Sequence, residues 1–343
     1  MIGKKILLIL PLLVVAFLSG AYARFLQDAS VNFSSPYTLR AEVASNLPGQ
    51  GEADSEAVKP IELLFVGDIM LSRGVEYYIQ KAGNGDYRYP FEKIADELRA
   101  ADLLVGNLEN PISSRGKNQG SIYSFRANPK ALDGLSFAGF DVLSLANNHM
   151  WDWGADALQD TVGFLRDWGI KGVGAGASYR DANDPVIIEV RGVRVAFFSF
   201  TNLMPRSLEA IETRPGLSQF EPEMIKDRIF GIQNQADIVV VLPHWGEEYD
   251  TSASEFQRRF ARELMNAGAD LVVGHHPHVV QEVEPYKQGW IAYSLGNFVF
   301  DQRFSEDTKQ GLMLRVKIQD RKIASVEKVK IAFTETFQPE VVE

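Results

Sequence analysis

The chain has 343 residues and 45% hydrophobic content, enough for one large domain or two ordinary ones with an ample core. A net charge of −10 argues against general nucleic-acid binding, which needs a basic face to displace counterions from phosphates. The lack of cysteine removes disulfides, thiolate metal sites and cysteine nucleophiles.

Residues 1–23 read as a targeting segment. Lys4 and Lys5 form a positive start, Ile6–Leu18 is almost wholly apolar, and Ala21-Tyr22-Ala23 offers the small residues that a signal peptidase reads. An N-terminal membrane anchor is the competing reading, because Ile6–Ala23 is about long enough to span a bilayer. Either way the lysines precede the apolar run, which places the body outside the cytoplasm, secreted or anchored. Residues 24–59 have few large apolar side chains after Phe33 and read as a flexible linker.

A single domain is expected over residues 60–335, with a tail at 336–343. Ile61–Val66 predicts a buried strand ended by Gly67-Asp68, and Gly74–Ala82 and Phe91–Ala100 predict helices. Asp102–Val105 is a strand, followed by Gly106-Asn107-Leu108-Glu109 and a long polar loop. Pro129–Ala138 is a helix, Val142–Leu145 a strand that ends in Asn147-Asn148-His149, and Ala155–Trp168 a helix. Val173–Gly176 is a short strand and turn. Pro185–Val190 and Val193–Phe200 form a hairpin around Arg191-Gly192. Residues 203–220 read as a long loop. Pro222–Gln235 is a helix, Asp237–Leu242 a strand ahead of His244, and Ser254–Ala267 an amphipathic helix. Leu271–Val273 is a strand before Gly274-His275-His276-Pro277-His278. The remainder, to about Phe333, predicts antiparallel strands with a hairpin turn at Asp320-Arg321, as a second layer. Helices between successive strands make the fold class α/β, with a parallel core and helices outside.

The histidines are the most informative residues. There are five, His149, His244, His275, His276 and His278, and each follows an apolar run. In an alternating α/β chain the carboxyl ends of the strands are where ligands are met. Five strand-like runs end in groups suited to a hard or borderline divalent metal: Asp68; Asn107 with Glu109; Asn148 with His149; His244; and His276 with His278. Paired metals lie about 3.5–4 Å apart and need a bridging carboxylate with terminal ligands on each side. Glu109 could bridge, Asp68 and His278 serve one ion, and Asn148, His244 and His276 the other. The two imidazoles of His-x-His would point to one side of an extended segment. The competing readings are turn residues and structural histidines.

These pieces, together with Val66–Leu71, Leu242–Gly246 and Tyr293–Phe298, occur in the order found in CapA proteins. The chain resembles that family, named for capsule and poly-γ-glutamate synthesis and itself similar to the calcineurin-like metallophosphatases. The resemblance covers residues 61 to 301. It implies a four-layer α/β sandwich of mixed sheets, with a site at the strand ends for one or two divalent ions (Mn, Fe or Zn) and the ligands named above. Two positions depart from the wider superfamily: Met70 stands where a His is usual, and Asn107 where a bridging Asp is usual.

An active site of this kind hydrolyses phosphoesters. His149 is then the candidate to protonate the leaving oxygen. Asp152 either orients His149 or caps the following helix. Arg73 and Arg126 are candidates for anionic substrate groups, with Asn107 and Asn297 beside them. The expected partners are an anionic polymer or phosphate-bearing envelope substrate and membrane synthase subunits. The alternative is a non-catalytic component that binds or exports the polymer.

Overall fold

The computed structural model describes residues 59–342. The predicted targeting segment and residues 24–58 of the predicted linker lie outside the described residues. Among the described residues no helix is long and apolar enough to cross a membrane.

The first half of the domain runs β1 (Ile61–Ile69), α1 (Arg73–Lys81), α2 (Ala95–Arg99), β2 (Leu103–Leu108), α3 (Ala131–Ala138), β3 (Val142–Ser144), α4 (Gly154–Asp167), β4 (Lys171–Val173) and β5 (Ala175–Gly176). The second continues through α5 (Tyr179–Asn183), β6 (Val186–Val190), β7 (Val193–Thr201), β8 (Gly216–Leu217), α6 (Pro222–Ile232), β9 (Ile238–His244), α7 (Glu255–Ala267) and β10 (Leu271–Val273). It closes with β11 (Val283–Tyr286), β12 (Gly289–Ala292), β13 (Asn297–Val299), β14 (Gln310–Gln319), β15 (Lys322–Phe333) and β16 (Pro339–Val341).

The strands make two large sheets. One has the order β16-β15-β14-β1-β2-β3-β4, with β13 also paired to β1; the other has the order β11-β12-β10-β9-β7-β6. Pleat alternation turns this into four layers. On β1, Leu64 and Val66 face the helices α1 to α4, while Leu63 and Phe65 face the other sheet. On β9, Val240 and Leu242 face the first sheet, and Val239 and Val241 pack on Ile225 and Ile229 of α6 and on Phe260 and Leu264 of α7. Ser254 starts α7 with a capping box: its hydroxyl accepts from the Gln257 N–H, and the Gln257 side chain accepts from the Ser254 N–H.

Three expectations about the chain change. The helix expected at Phe91–Ala100 is a tight turn at Tyr89–Phe91 followed by the short α2, because Ile94 leaves helical geometry with φ −128°. The C-terminal strands are not all antiparallel and do not form the second layer. β12 runs parallel to β10, β13 runs parallel to β1, and β14 to β16 extend the first sheet. Hydrophobic alternation marks a strand but carries no information about the direction of its neighbour. The stretch expected as a tail supplies β16, whose Pro339 pairs with Phe333.

Strand β1 also runs past Gly67 to Ile69. A Cβ at Gly67 would sit 2.0 Å from the carbonyl oxygen of Gly296, so this glycine is what admits β13 beside β1. The Asp68 N–H donates to that carbonyl at 3.0 Å, and Asp68 pairs in register with Asn297. Gly67→Ala is therefore expected to push the two strands apart and to cost roughly 1–3 kcal/mol or more, as overpacking does. Thermal denaturation of the variant beside wild type checks this.

Candidate metal centre

The parallel strands β1, β2, β3, β9 and β10 all end on one side of the sandwich. Each leaves its regular hydrogen bonding in a polar residue. Asp68 on β1, Glu109 after β2, Asn148 and His149 after β3, His244 on β9, and His276 and His278 after β10 come together there. Asp68, Glu109 and His244 are fully buried, and His276 and His278 are nearly so.

The clusters overlap the groupings read in the sequence. Ligand atoms of Glu109, His276 and His278 lie within 4.8 Å of one another, as do those of Asp68, Glu109 and His244. Glu109 belongs to both sets. His276 clusters with His278, and its ring also lies 4.9 Å from that of His244. Asn148 Oδ1 lies 2.9 Å from His244 Nε2, and His278 Nδ1 lies 3.3 Å from Asp68 Oδ2. The pleat argument for the two nearby histidines fails, since their segment is not extended. His276 has φ 101° and His278 φ 59°, so left-handed backbone brings the two rings to 5.9 Å. Such conformations are costly for residues with a Cβ and cluster at functional sites.

Hydrogen bonds fix much of the chemistry. Asn297 donates its amide to Gln302 and to the Thr308 carbonyl, so its Oδ1 faces His278 Nδ1 at 3.0 Å. Nδ1 of His278 thus carries a proton, with Asp68 Oδ2 also 3.3 Å away, and Nε2 lies 3.4 Å from Glu109 Oε1. With the ring neutral and Glu109 ionised, the state that a bound cation favours, two acceptors face each other. Neither Glu109 Oε1 nor His276 Nδ1 has a hydrogen-bond partner among the described residues. Buried acceptors left without donors are costly. A divalent cation fits between them, and the donor set of carboxylate and imidazole suits Mn, Fe or Zn.

Electrostatics agree. Burial first, then Asp68 and Glu248, push the Glu109 carboxyl well above its ordinary range. Burial also acts to raise Asp68, but the His278 imidazole, His275 and the Asn107 amide outweigh it and hold Asp68 below its ordinary value. Burial and the neighbouring imidazoles hold His244 well below its usual range, and burial together with His278 brings His276 down to about 3. Both rings are neutral at pH 7, the form that ligates metals.

Beside this cluster is a cleft of about 170 Å³, lined by Arg73, Tyr123, Phe125, His149, Glu248, Tyr249, His278, Asp301, Gln302 and Phe304. His149 stacks on Phe125 with ring centres 3.9 Å apart. Its Nδ1 is 2.8 Å from Asp152 Oδ2, which also accepts from the Phe125 N–H. Trp153, not Asp152, stands at the N-terminus of α4, and no side chain caps it. Arg73 lines the cleft, held by Asp301 at 3.1 Å.

Three residues expected to meet substrate do not line this cleft. Arg126 lies 3.5 Å above the Trp153 ring and donates to the Arg115 carbonyl, which draws its guanidinium elsewhere. Asn107 and Asn297 are fully buried, with their amides committed to the ligand residues. Asp301, Glu248 and Tyr249 line the cleft beyond the residues expected from the sequence. Asp301 follows the apolar run Phe298–Phe300 in the same strand-then-acid pattern as Asp68, and that signal was available. Glu248 and Tyr249 sit in an irregular loop and gave none.

A profile of the family described as "Bacterial capsule synthesis protein PGA_cap" matches residues 62–302. "Capsule biosynthesis protein CapA" of Bacillus anthracis is 35% identical over 297 residues, covering 82% of this chain and 71% of that protein. "PGA biosynthesis protein CapA" of Bacillus subtilis is 36% identical over 271 residues, covering 77% and 70%. Among solved structures, a hypothetical protein from Thermus thermophilus aligns with TM-score 0.52 at 17% identity, over 79% of this chain and 98% of that one. A 5'-nucleotidase precursor from the same organism aligns with TM-score 0.50 at 14% identity, over 82% and 56%. The structural likeness is one of fold, the mixed α/β sandwich of the metallophosphatases. With its profile match spanning most of the domain and its CapA relatives above 30% identity, the chain belongs to the bacterial capsule synthesis protein family PGA_cap.

Proposed function

We propose that this chain is an exported protein of capsule, poly-γ-glutamate or envelope polymer metabolism that hydrolyses a phosphoester at a divalent metal centre. The observation carrying this reading is the buried cluster of Glu109, His276 and His278, whose ligand atoms lie within 4.8 Å of one another beside a cleft, with no partner for Glu109 Oε1 or His276 Nδ1 among the described residues. Glu109, His276 and His278 would hold a divalent ion, which when bound would supply Lewis acidity for phosphoester hydrolysis.

The chain's own residues do the rest. His149, oriented by Asp152 through Nδ1, lines the cleft and is the group that gives a proton to the leaving oxygen. Phe125 holds the imidazole by stacking and, through its N–H, helps hold Asp152. Arg73, kept in place by Asp301, offers a guanidinium to an anionic substrate group. The cleft is small, so it takes the phosphoryl group and its nearest substituents while a longer polymer extends past the exposed Tyr123 and Phe304. Membrane synthase subunits are the partners this role calls for.

The test is hydrolysis of an aryl phosphodiester and an aryl phosphomonoester by the full chain with added manganese. Turnover that a chelator abolishes supports the reading. Bound metal without turnover on any phosphoester contradicts it and favours a polymer-binding or export role.

A further inference from the structure

We infer that the site holds one divalent cation, at Glu109, His276 and His278, and that the side-chain amide of Asn107 closes the second ligand cluster. The inference rests on the metal-binding reading above and fixes its stoichiometry.

The second cluster is Asp68, Glu109 and His244. Asn107 Nδ2 lies 2.8 Å from Asp68 Oδ1, 3.2 Å from Glu109 Oε2 and 3.3 Å from His244 Nδ1. One amide nitrogen therefore meets an acceptor of every member of that cluster. Its partial positive charge stands where a second cation would.

The direction of this amide is fixed by its neighbours. Asn147 Oδ1 accepts from the backbone N–H groups of His149 at 3.2 Å and Met150 at 2.9 Å. Asn147 Nδ2 is thereby turned to the Leu108 carbonyl at 2.8 Å and to Asn107 Oδ1 at 3.2 Å. Flipping Asn107 would set two NH₂ groups against each other and two carboxylates against a carbonyl oxygen. The loop after β3 thus holds Asn107 with its N–H groups toward the acids.

The other nitrogen of His244 is also spoken for. Its Nε2 lies 2.9 Å from Asn148 Oδ1, and its Nδ1 faces the Asn107 amide at 3.3 Å, whose two hydrogens are shared among three acceptors. The first cluster is the opposite case. Glu109 divides between the two, with Oε2 bonded to Asn107 and Oε1 without a partner among the described residues. His276 Nδ1 has none either.

Asn107→Asp reverses this arrangement with almost no change in shape. An oxygen replaces the amide nitrogen, the remaining carboxylate oxygen still accepts from Asn147, and the second cluster gains a ligand and a negative charge. The experiment is elemental analysis of the manganese-loaded full chain after dialysis, with electron paramagnetic resonance of the bound manganese. Wild type is expected to hold one equivalent with an uncoupled six-line signal, and Asn107→Asp two equivalents with a spin-coupled signal. Two equivalents in wild type overturn the inference and leave the hydrolase reading standing, and this measurement needs no variant. One equivalent in a folded Asn107→Asp also overturns it. No bound metal in either protein removes the reading on which the inference rests.

Discussion

Replacing His149 with alanine is expected to lower phosphoester turnover by roughly 10²–10⁴-fold, the usual contribution of a positioned general acid, while bound metal stays at the wild-type level. His149 lines the cleft but belongs to neither of the clustered ligand sets. Its Nδ1 is tied to Asp152, leaving Nε2 as the only ring nitrogen free for proton transfer. Asp152→Asn separates positioning from chemistry. The amide can still meet Nδ1, but it no longer favours the same tautomer or the protonated ring, so a smaller loss of kcat and a displaced pH profile are expected. Steady-state kinetics with a good and a poor leaving group check this. The loss in His149→Ala should be larger for the poor leaving group, which needs the proton more. Equal losses for both would remove His149 from the role of acid.

Glu109→Gln is expected to change stability in opposite directions with and without metal. In the metal-free chain the raised Glu109 carboxyl keeps its proton in the folded state after the unfolded state has lost it. A group with a raised folded-state pKa contributes stability that is lost as pH rises above the unfolded value, by up to about 1.4 kcal/mol per pH unit. Glutamine cannot ionise, so the metal-free variant should exceed wild type in thermal stability at pH 7, by an amount that grows with pH. The lowered histidines act in the other sense. His244, His275 and His276 are neutral when folded and protonated when unfolded below about 6.5, so their stability is lost as pH falls through that region. They are present in both proteins and cancel in the difference. With manganese the order should invert, because wild type gains binding free energy that the variant has lost. Melting curves in chelator and in manganese, at several pH values, report both signs. A variant less stable than wild type in chelator would show that Glu109 serves the fold rather than a cation.

Much of the site was legible because its residues obey one simple rule. Asp68, Glu109, His149, His244, His276 and His278 each follow an apolar run that reads as a buried strand, and parallel strands bring their carboxyl ends to one side. What the sequence lacked was pairing. It could not show that His244 and Asn148 bond to each other, or that the Asn107 amide faces Asp68, Glu109 and His244. The direction of Asn107 depends on Asn147, whose oxygen is held by N–H groups of its own loop while its amide acts on β2. The packing of Arg126 on Trp153 was hidden for a similar reason, since the two lie well apart in the chain. The parallel seating of β13 depends on the contact between Gly67 and Gly296, which leaves no periodic trace. Short strands such as β12 and β13 reveal their existence by composition and their direction only by packing.

The central claim is that these strand ends form a metal centre. It is tested most directly by the metal content of the full chain, wild type beside His276→Ala, after loading with manganese, iron or zinc and dialysis. The account predicts bound divalent metal in wild type and its loss in a variant that still melts cooperatively in chelator. Wild type without metal under every loading condition, or a variant that retains the full amount, would contradict it.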